Sequence, residues 1–225
     1  MENKFSLPSK PKVQDTIKPS TPNANNLNHN LPITLEQLAY HKASNADSMD
    51  EFGTTIALSG NTLVVGARLE DSDGSSENDN SADNAGAAYV YVYDGQTWQQ
   101  QAYLKASNRE SGDQFGSAVA ISDNTIVVGA FGEDGDGSSE ADNSLNSTGA
   151  AYVFVRNGTT WSQQAYLKAP NPDSIDLFGL SLAIDGDTII VGAILEDSDG
   201  TAPSNNDIGE LSLIHISEPT RHRYI

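Results

Sequence analysis

The sequence predicts an all-β chain of tandem four-stranded antiparallel blades. Three observations predict it: an internal repeat of 63 residues, short runs rich in Val, Ile, Tyr and Ala with no helical period, and tight turn signals between those runs. Phe52-Gly53 recurs as Phe115-Gly116 and Phe178-Gly179, and Val65-Gly66-Ala67 recurs as Val128-Gly129-Ala130 and Val191-Gly192-Ala193. Gly86-Ala87-Ala88-Tyr89-Val90 returns as Gly149-Ala150-Ala151-Tyr152-Val153, and Ala102-Tyr103-Leu104-Lys105-Ala106 as Ala165-Tyr166-Leu167-Lys168-Ala169. Each spacing is 63, with no insertion.

Residues 1–33 precede the repeats. They are rich in Pro, Asn, Ser and Lys and carry neither period, so a disordered leader is expected; they hold no apolar core of a signal peptide. The repeats are expected over 34–210, in units of about 35–97, 98–160 and an incomplete 161–210. The stretch "LEQLAYHKAS" aligns with "WQQQAYLKAS" and reads as an orphan fourth strand, with His41 substituting for the core Leu104 and Leu167. In many closed rings of blades such a strand completes the last blade and removes a free edge.

Within the second unit the strands are "SAVAIS", "NTIVVGAF", "GAAYVFVR" and "WSQQAYLKA". Asp123-Asn124 and Asn157-Gly158 are hairpin dipeptides, because Asn, Asp and Gly tolerate positive φ; Asp185-Gly186-Asp187 marks the same turn in the third unit. "TIVVGA" and "AAYVFV" are apolar on both faces, as a sheet packed between two others requires. Meanders stacked face to face around an axis make a β-propeller. An open solenoid or a run of sandwiches is the competing architecture, but solenoid repeats are usually shorter. Trp98 and Trp161, at a repeating strand position, are expected in the core between blades rather than on a ligand platform.

"DQFGSAVAISDNTIVVGAF" followed by "GAAYVFVRNGTTW" resembles the FG-GAP repeat of integrin α-chain propellers, and more closely its bacterial form. The resemblance covers about residues 35–209. It implies a β-propeller in an extracellular or cell-surface protein that recognises a protein or glycan, or adheres, without catalysis. One departure bears on metal binding. The integrin-type calcium loop lies between the FG and GA strands, where this chain has only "ISDNT" or "IDGDT", so those ligands do not carry over.

The acids stand after the GA strand instead. Glu-Asp-x-Asp-Gly occurs in register as Glu70, Asp71, Asp73, then Glu133, Asp134, Asp136, then Glu196, Asp197, Asp199. Glu77 and Glu140 follow Gly74 and Gly137 by three residues. Calcium wants six to eight oxygens, which D-x-D-G with a later acid begins to supply. The candidate ligands are therefore Asp71, Asp73, Glu77, Asp134, Asp136, Glu140, Asp197 and Asp199. Against this, the first-ligand position is Leu69, Gly132 or Leu195, and the third loop has no acid after its Gly; a solvated acidic loop is the other reading.

The net charge of −19 argues against nucleic acid and anionic membrane as partners, and no apolar run approaches the ~18 residues of a membrane span. The absence of cysteine excludes disulfides and thiolate chemistry. No hydrolase elbow, zincin motif or P-loop appears, so an enzyme is not expected; a structural spacer or a fragment of a propeller enzyme are the alternatives to recognition.

The repeat breaks at Glu210. Residues 211–221, "LSLIHISEPTR", translate back into the transposase adapter of short-read sequencing libraries, so residues 211–225 are expected to be an artefactual tail of a reading frame that left its gene. On that expectation the chain holds fewer than three blades, against about four to eight in a closed ring.

Overall fold

The computed structural model describes residues 40–196. By internal contacts the chain divides into Met1–Tyr40 and His41–Ile225, and the second unit is described here. The leader 1–33, the tail 211–225, Asp197 and Asp199 lie outside the described residues, as does the first half of the stretch read as an orphan strand.

Ten strands form, and no helix is present among the described residues. The first sheet orders β1 (Thr55–Ser59), β2 (Thr62–Ala67), β3 (Ala87–Tyr93) and β4 (Trp98–Leu104) as a meander. The second repeats it with β5 (Phe115–Ser122), β6 (Thr125–Ala130), β7 (Ala150–Asn157) and β8 (Thr160–Leu167). The third contains β9 (Phe178–Asp185) and β10 (Thr188–Ala193). Every pairing is antiparallel, and these are blades of the kind the repeat predicts. The hairpin residues behave as their chemistry dictates: Asp123 sits at φ 51° and Gly158 at 64° in the two-residue turns.

The blades pack face to face, β5 against β1 and β2, and β9 against β5 and β6. One core lies between the first two blades, where Val119, Ile121, Ile126, Val128, Tyr152 and Phe154 meet Val64, Ala88 and Val90. The next joins Val127, Ala151 and Val153 to Leu182, Ile184, Ile189 and Val191. The apolar residues on both faces of the central strands are thus consumed by two interfaces.

The FG motif is a bulge that ties one blade to the last. Phe115 pairs with Ala130, the next ladder pair is Ala118 with Gly129, and Gly116 in the gap takes φ 92°. A Cβ on Gly116 would collide with the carbonyl oxygen of Ala87 in the preceding blade, and one on Gly86 with the Phe115 carbonyl. Glycine permits both approaches. The Phe115 amide donates to Ala85 O and the Phe178 amide to Thr148 O, each making a short parallel bridge between blades.

Trp161 is buried in the core between the first two blades, and its Nε1 donates to Gln101 Oε1 at 2.9 Å. Trp98, in the same register, is half-buried and packs on Tyr93 at 5.4 Å beside the outer face of the first blade. His41 takes its predicted place at that outer face, tilted on Tyr91 at 5.6 Å.

Candidate functional site

The long β2–β3 and β6–β7 connections carry the acidic loops, and the loops leave equivalent ends of equivalent sheets. Each is laced to the segment leading into the following blade. Gly112 and Gln114 amides donate to Asp83 and Asn84 carbonyls, and Ile175 and Leu177 amides to Asn146 and Ser147 carbonyls. The rim is therefore a braced surface.

Its acids divide by burial. Glu70, Glu133 and Glu196, which open each Glu-Asp-x-Asp-Gly motif, are almost fully buried. Glu133 accepts from Lys168 Nζ at 2.6 Å, Tyr166 OH at 2.7 Å and Asn108 Nδ2 at 3.0 Å. Glu70 accepts from Lys105 Nζ and Asn45 Nδ2, both at 2.9 Å, and from the Ser72 amide. Asn171 Nδ2 reaches Glu196 Oε2 at 2.7 Å. A buried carboxylate is costly unless paired and hydrogen-bonded, and Glu70 and Glu133 meet that condition. Tyr152 extends the second network, its hydroxyl donating to Asn108 Oδ1 at 2.8 Å.

Burial raises the Glu133 carboxyl above its ordinary range despite Lys168, and burial likewise lowers the Lys105 ammonium. A second buried acid stands before each FG motif: Asp50, Asp113 and Asp176. Asp50 Oδ2 accepts the Asp47 amide at 2.8 Å, Asp113 Oδ2 the Glu110 amide at 2.7 Å and Asp176 Oδ2 the Asp173 amide at 2.6 Å, each closing a tight turn. Burial, with the charges of Glu133, Glu110 and Asp134 nearby, pushes Asp113 up to about 7 against the amide bond that lowers it.

The predicted ligands occupy the loops differently. Asp71 Oδ1 accepts the Asn84 amide and Asp134 Oδ1 the Ser147 amide, both at 2.7 Å, so these two staple the loop's start to its end. Asp73 Oδ1 takes the Ser75 amide and Asp136 Oδ1 the Ser138 amide. The Asp73 and Asp136 amides in turn donate to Asp79 Oδ2 and Asp142 Oδ2, pairing two carboxylates in one turn. Hydrogen bonds from Ser81 and the Asp73 amide hold Asp79 down at about 2. Glu77 and Glu140 turn away from this pair, toward Ser44 and Ser107 hydroxyls. The Asp73 carbonyl also receives Arg109 Nε, so a cation from the next blade already sits against the first loop.

Among the described residues, no three His, Asp or Glu side chains gather as a metal shell. The fit to calcium is thus a pair of acids per loop, six residues apart. Reading the sequence missed Asp79 and Asp142 as partners, and Lys105, Lys168, Asn45 and Asn108 as the seals on the buried acids. The exact recurrence of those Lys and Asn positions was the available signal.

A profile of the family described as FG-GAP repeat matches residues 37–91, 98–154 and 161–206. The chain belongs to the FG-GAP repeat family. The FG-GAP matches are offset from the blades by one strand: 37–91 contains β1, β2 and most of β3, 98–154 joins β4 of the first blade to β5, β6 and most of β7 of the second, and 161–206 runs from β8 through β9 and β10, with one FG dipeptide in each. No curated protein matches the FG-GAP chain.

Proposed function

We propose that this chain is a non-catalytic recognition or adhesion module of a secreted or cell-surface protein, binding a protein or glycan through its acidic rim. The observation that carries the reading is how the rim's polar groups are used. The buried acids Glu70 and Glu133 are sealed by Lys and Asn, with Tyr166 on Glu133, and stiffen the loops from beneath; Asp71 and Asp134 clip each loop's start to its end, and Asp136 and Glu140 stand exposed on the rim. Family membership supports a binding role, and a pre-ordered loop binds without first losing its own freedom. No helix among the described residues is long and apolar enough to cross a membrane.

Calcium belongs to this proposal as a loose ligand of the loops. With two acids per turn, a cation would take its remaining oxygens from carbonyls and water, so weak affinity of the order of 10⁻⁴–10⁻³ M is expected, as in extracellular modules. The test is binding to glycan and surface-protein panels with and without millimolar calcium, comparing the wild type with an Asp136→Asn/Glu140→Gln rim. Selective binding lost in the variant supports recognition. A flat response from a folded wild type leaves a structural spacer.

A further inference from the structure

We propose that the buried Lys and Asn of each complete blade couple through the Glu between them, joining Lys168 Nζ to Asn108 Cγ and Lys105 Nζ to Asn45 Cγ as amides with release of ammonia. The second blade, which packs against strands of the blades on both sides, shows the arrangement. The two oxygens of Glu133 hold the two reactants: Oε2 accepts from Lys168 Nζ at 2.6 Å and Oε1 from Asn108 Nδ2 at 3.0 Å. Tyr152 OH donates to Asn108 Oδ1 at 2.8 Å. An amine, an amide, a proton carrier and a donor on the carbonyl oxygen therefore meet on one carboxylate. The first blade repeats the set 63 residues earlier, with Lys105 and Asn45 on opposite oxygens of Glu70, both at 2.9 Å, and Tyr89 OH on Asn45 Oδ1. Water is excluded from both: the Lys168 and Glu133 side chains are 6% and 2% exposed, those of Lys105 and Glu70 7% and 1%. Phe115 and Tyr166 flank the Tyr152 ring, as Phe52 and Tyr103 flank Tyr89. Such surroundings favour an amine and a neutral acid over two ions, and burial lowers Lys105 and raises Glu133 accordingly.

The step balances without an oxidant or a second substrate. Glu133 takes a proton from Lys168, and the freed Nζ lone pair attacks Asn108 Cγ. The Nζ–Cγ bond forms as the carbonyl electrons move onto Oδ1, where the Tyr152 hydroxyl supports them. Those electrons return, the Cγ–Nδ2 bond breaks, and Glu133 gives its proton to Nδ2, which departs as ammonia. The surplus proton on the new amide nitrogen passes to Glu133. An ammonium, a carboxylate and a primary amide have become a secondary amide, ammonia and a neutral carboxyl, so neither ion of the pair remains buried. The ion pair is the state before reaction, and its energetics are those of the chain that has not yet lost ammonia. Thr148 Oγ1 also receives Lys168 Nζ, but its counterpart in the first blade is Ala85, so that hydroxyl is not required. Each amide closes the segment entering a blade onto the end of the blade's last strand, in a chain with no cysteine to do so.

The test is the intact mass of the full chain, followed with time after purification, with circular dichroism to verify that it is folded. The wild type is expected to weigh one ammonia less than its sequence for each amide formed, and two less at completion. Trypsin is expected to spare Lys105 and Lys168, and branched peptides to join residue 45 to 105 and residue 108 to 168. Glu133→Gln and Lys168→Arg are each expected to abolish the second amide alone. The first amide, formed in the same molecules, then shows that the variant chain folds. A folded wild type that keeps its full sequence mass overturns the proposal and leaves the trios as ion pairs. A loss of ammonia that maps to Asn157-Gly158, a dipeptide able to cyclise by itself, overturns it too, as does a loss at residue 108 that persists in Lys168→Arg.

Discussion

Replacing Lys168 by Met tests the buried acid network most directly. The Lys168 and Glu133 side chains are 6% and 2% exposed, so the substitution strands a carboxylate with no water to replace its partner. Removing one member of a buried pair costs about 3–5 kcal/mol. Glu133 keeps Asn108 at 3.0 Å and Tyr166 at 2.7 Å, which places the loss near the lower end, about 3 kcal/mol. At roughly 2–4 °C per kcal/mol for a chain of this size, the midpoint falls by about 6–12 °C at pH 7. Glu133→Gln added to Lys168→Met removes both charges and leaves an oxygen for the Asn108 and Tyr166 donors, so it is expected to recover most of the loss. The deficit of Lys168→Met alone is expected to shrink toward pH 5, because the stranded carboxyl can then take up a proton. Urea unfolding of the three proteins checks this. A Lys168→Met protein within about 1 kcal/mol of the wild type would refute the reasoning, as would a double variant less stable than the single.

Asp113 titrates near 7 when folded, above its ordinary value, so the native state holds the extra proton between about pH 4 and 7. Its contribution is full below that window and is lost as pH rises through it, at most of the order of 4 kcal/mol; Asp113→Asn is expected to flatten that slope in the difference between the two unfolding curves. Gly116→Ala forces a Cβ into the Ala87 carbonyl as well as straining the backbone, and is expected to cost over 3 kcal/mol. Gly53→Ala, with the same φ but open space, should cost only the strain, about 1–2 kcal/mol; equal thermal shifts would remove the interblade role of the FG glycine. Calcium is expected to raise the melting midpoint by a few degrees only near millimolar concentration, and Asp73→Asn/Asp136→Asn to abolish that rise; a shift already complete at micromolar calcium would show a site better built than two acids per loop.

Strands, turns and blade stacking were legible because each rests on local chemistry repeated in register: Asn-Gly at the turns, Val-Ile-Tyr runs, and glycine where backbones touch. The meaning of the FG dipeptide was not, since a bulge and a carbonyl from another blade are set by tertiary approach. The acids show the same division. Asp71 and Asp73 fall in the loops where the spacing put them, yet their oxygens face amides of their own loop. Glu70 and Glu133 are charged residues in a polar run, and only the fold reveals that Lys105 and Lys168, 35 residues onward, draw them inside. Trp98 and Trp161 share a sequence environment, yet only Trp161 joins the core between the first two blades.

Each buried glutamate is held by an Asn 25 residues earlier and, in the two complete blades, by a Lys 35 residues later. Both offsets are indifferent to how many units the chain contains. A gene that gains or loses a whole multiple of 63 codons within the array rejoins every such trio in register, whereas a shift within a strand that carries one of the trio orphans a charge in the interior. Blade number is therefore free to drift in whole steps, and a cut from the middle is gentler on the remaining protein than a cut of equal length that divides one trio.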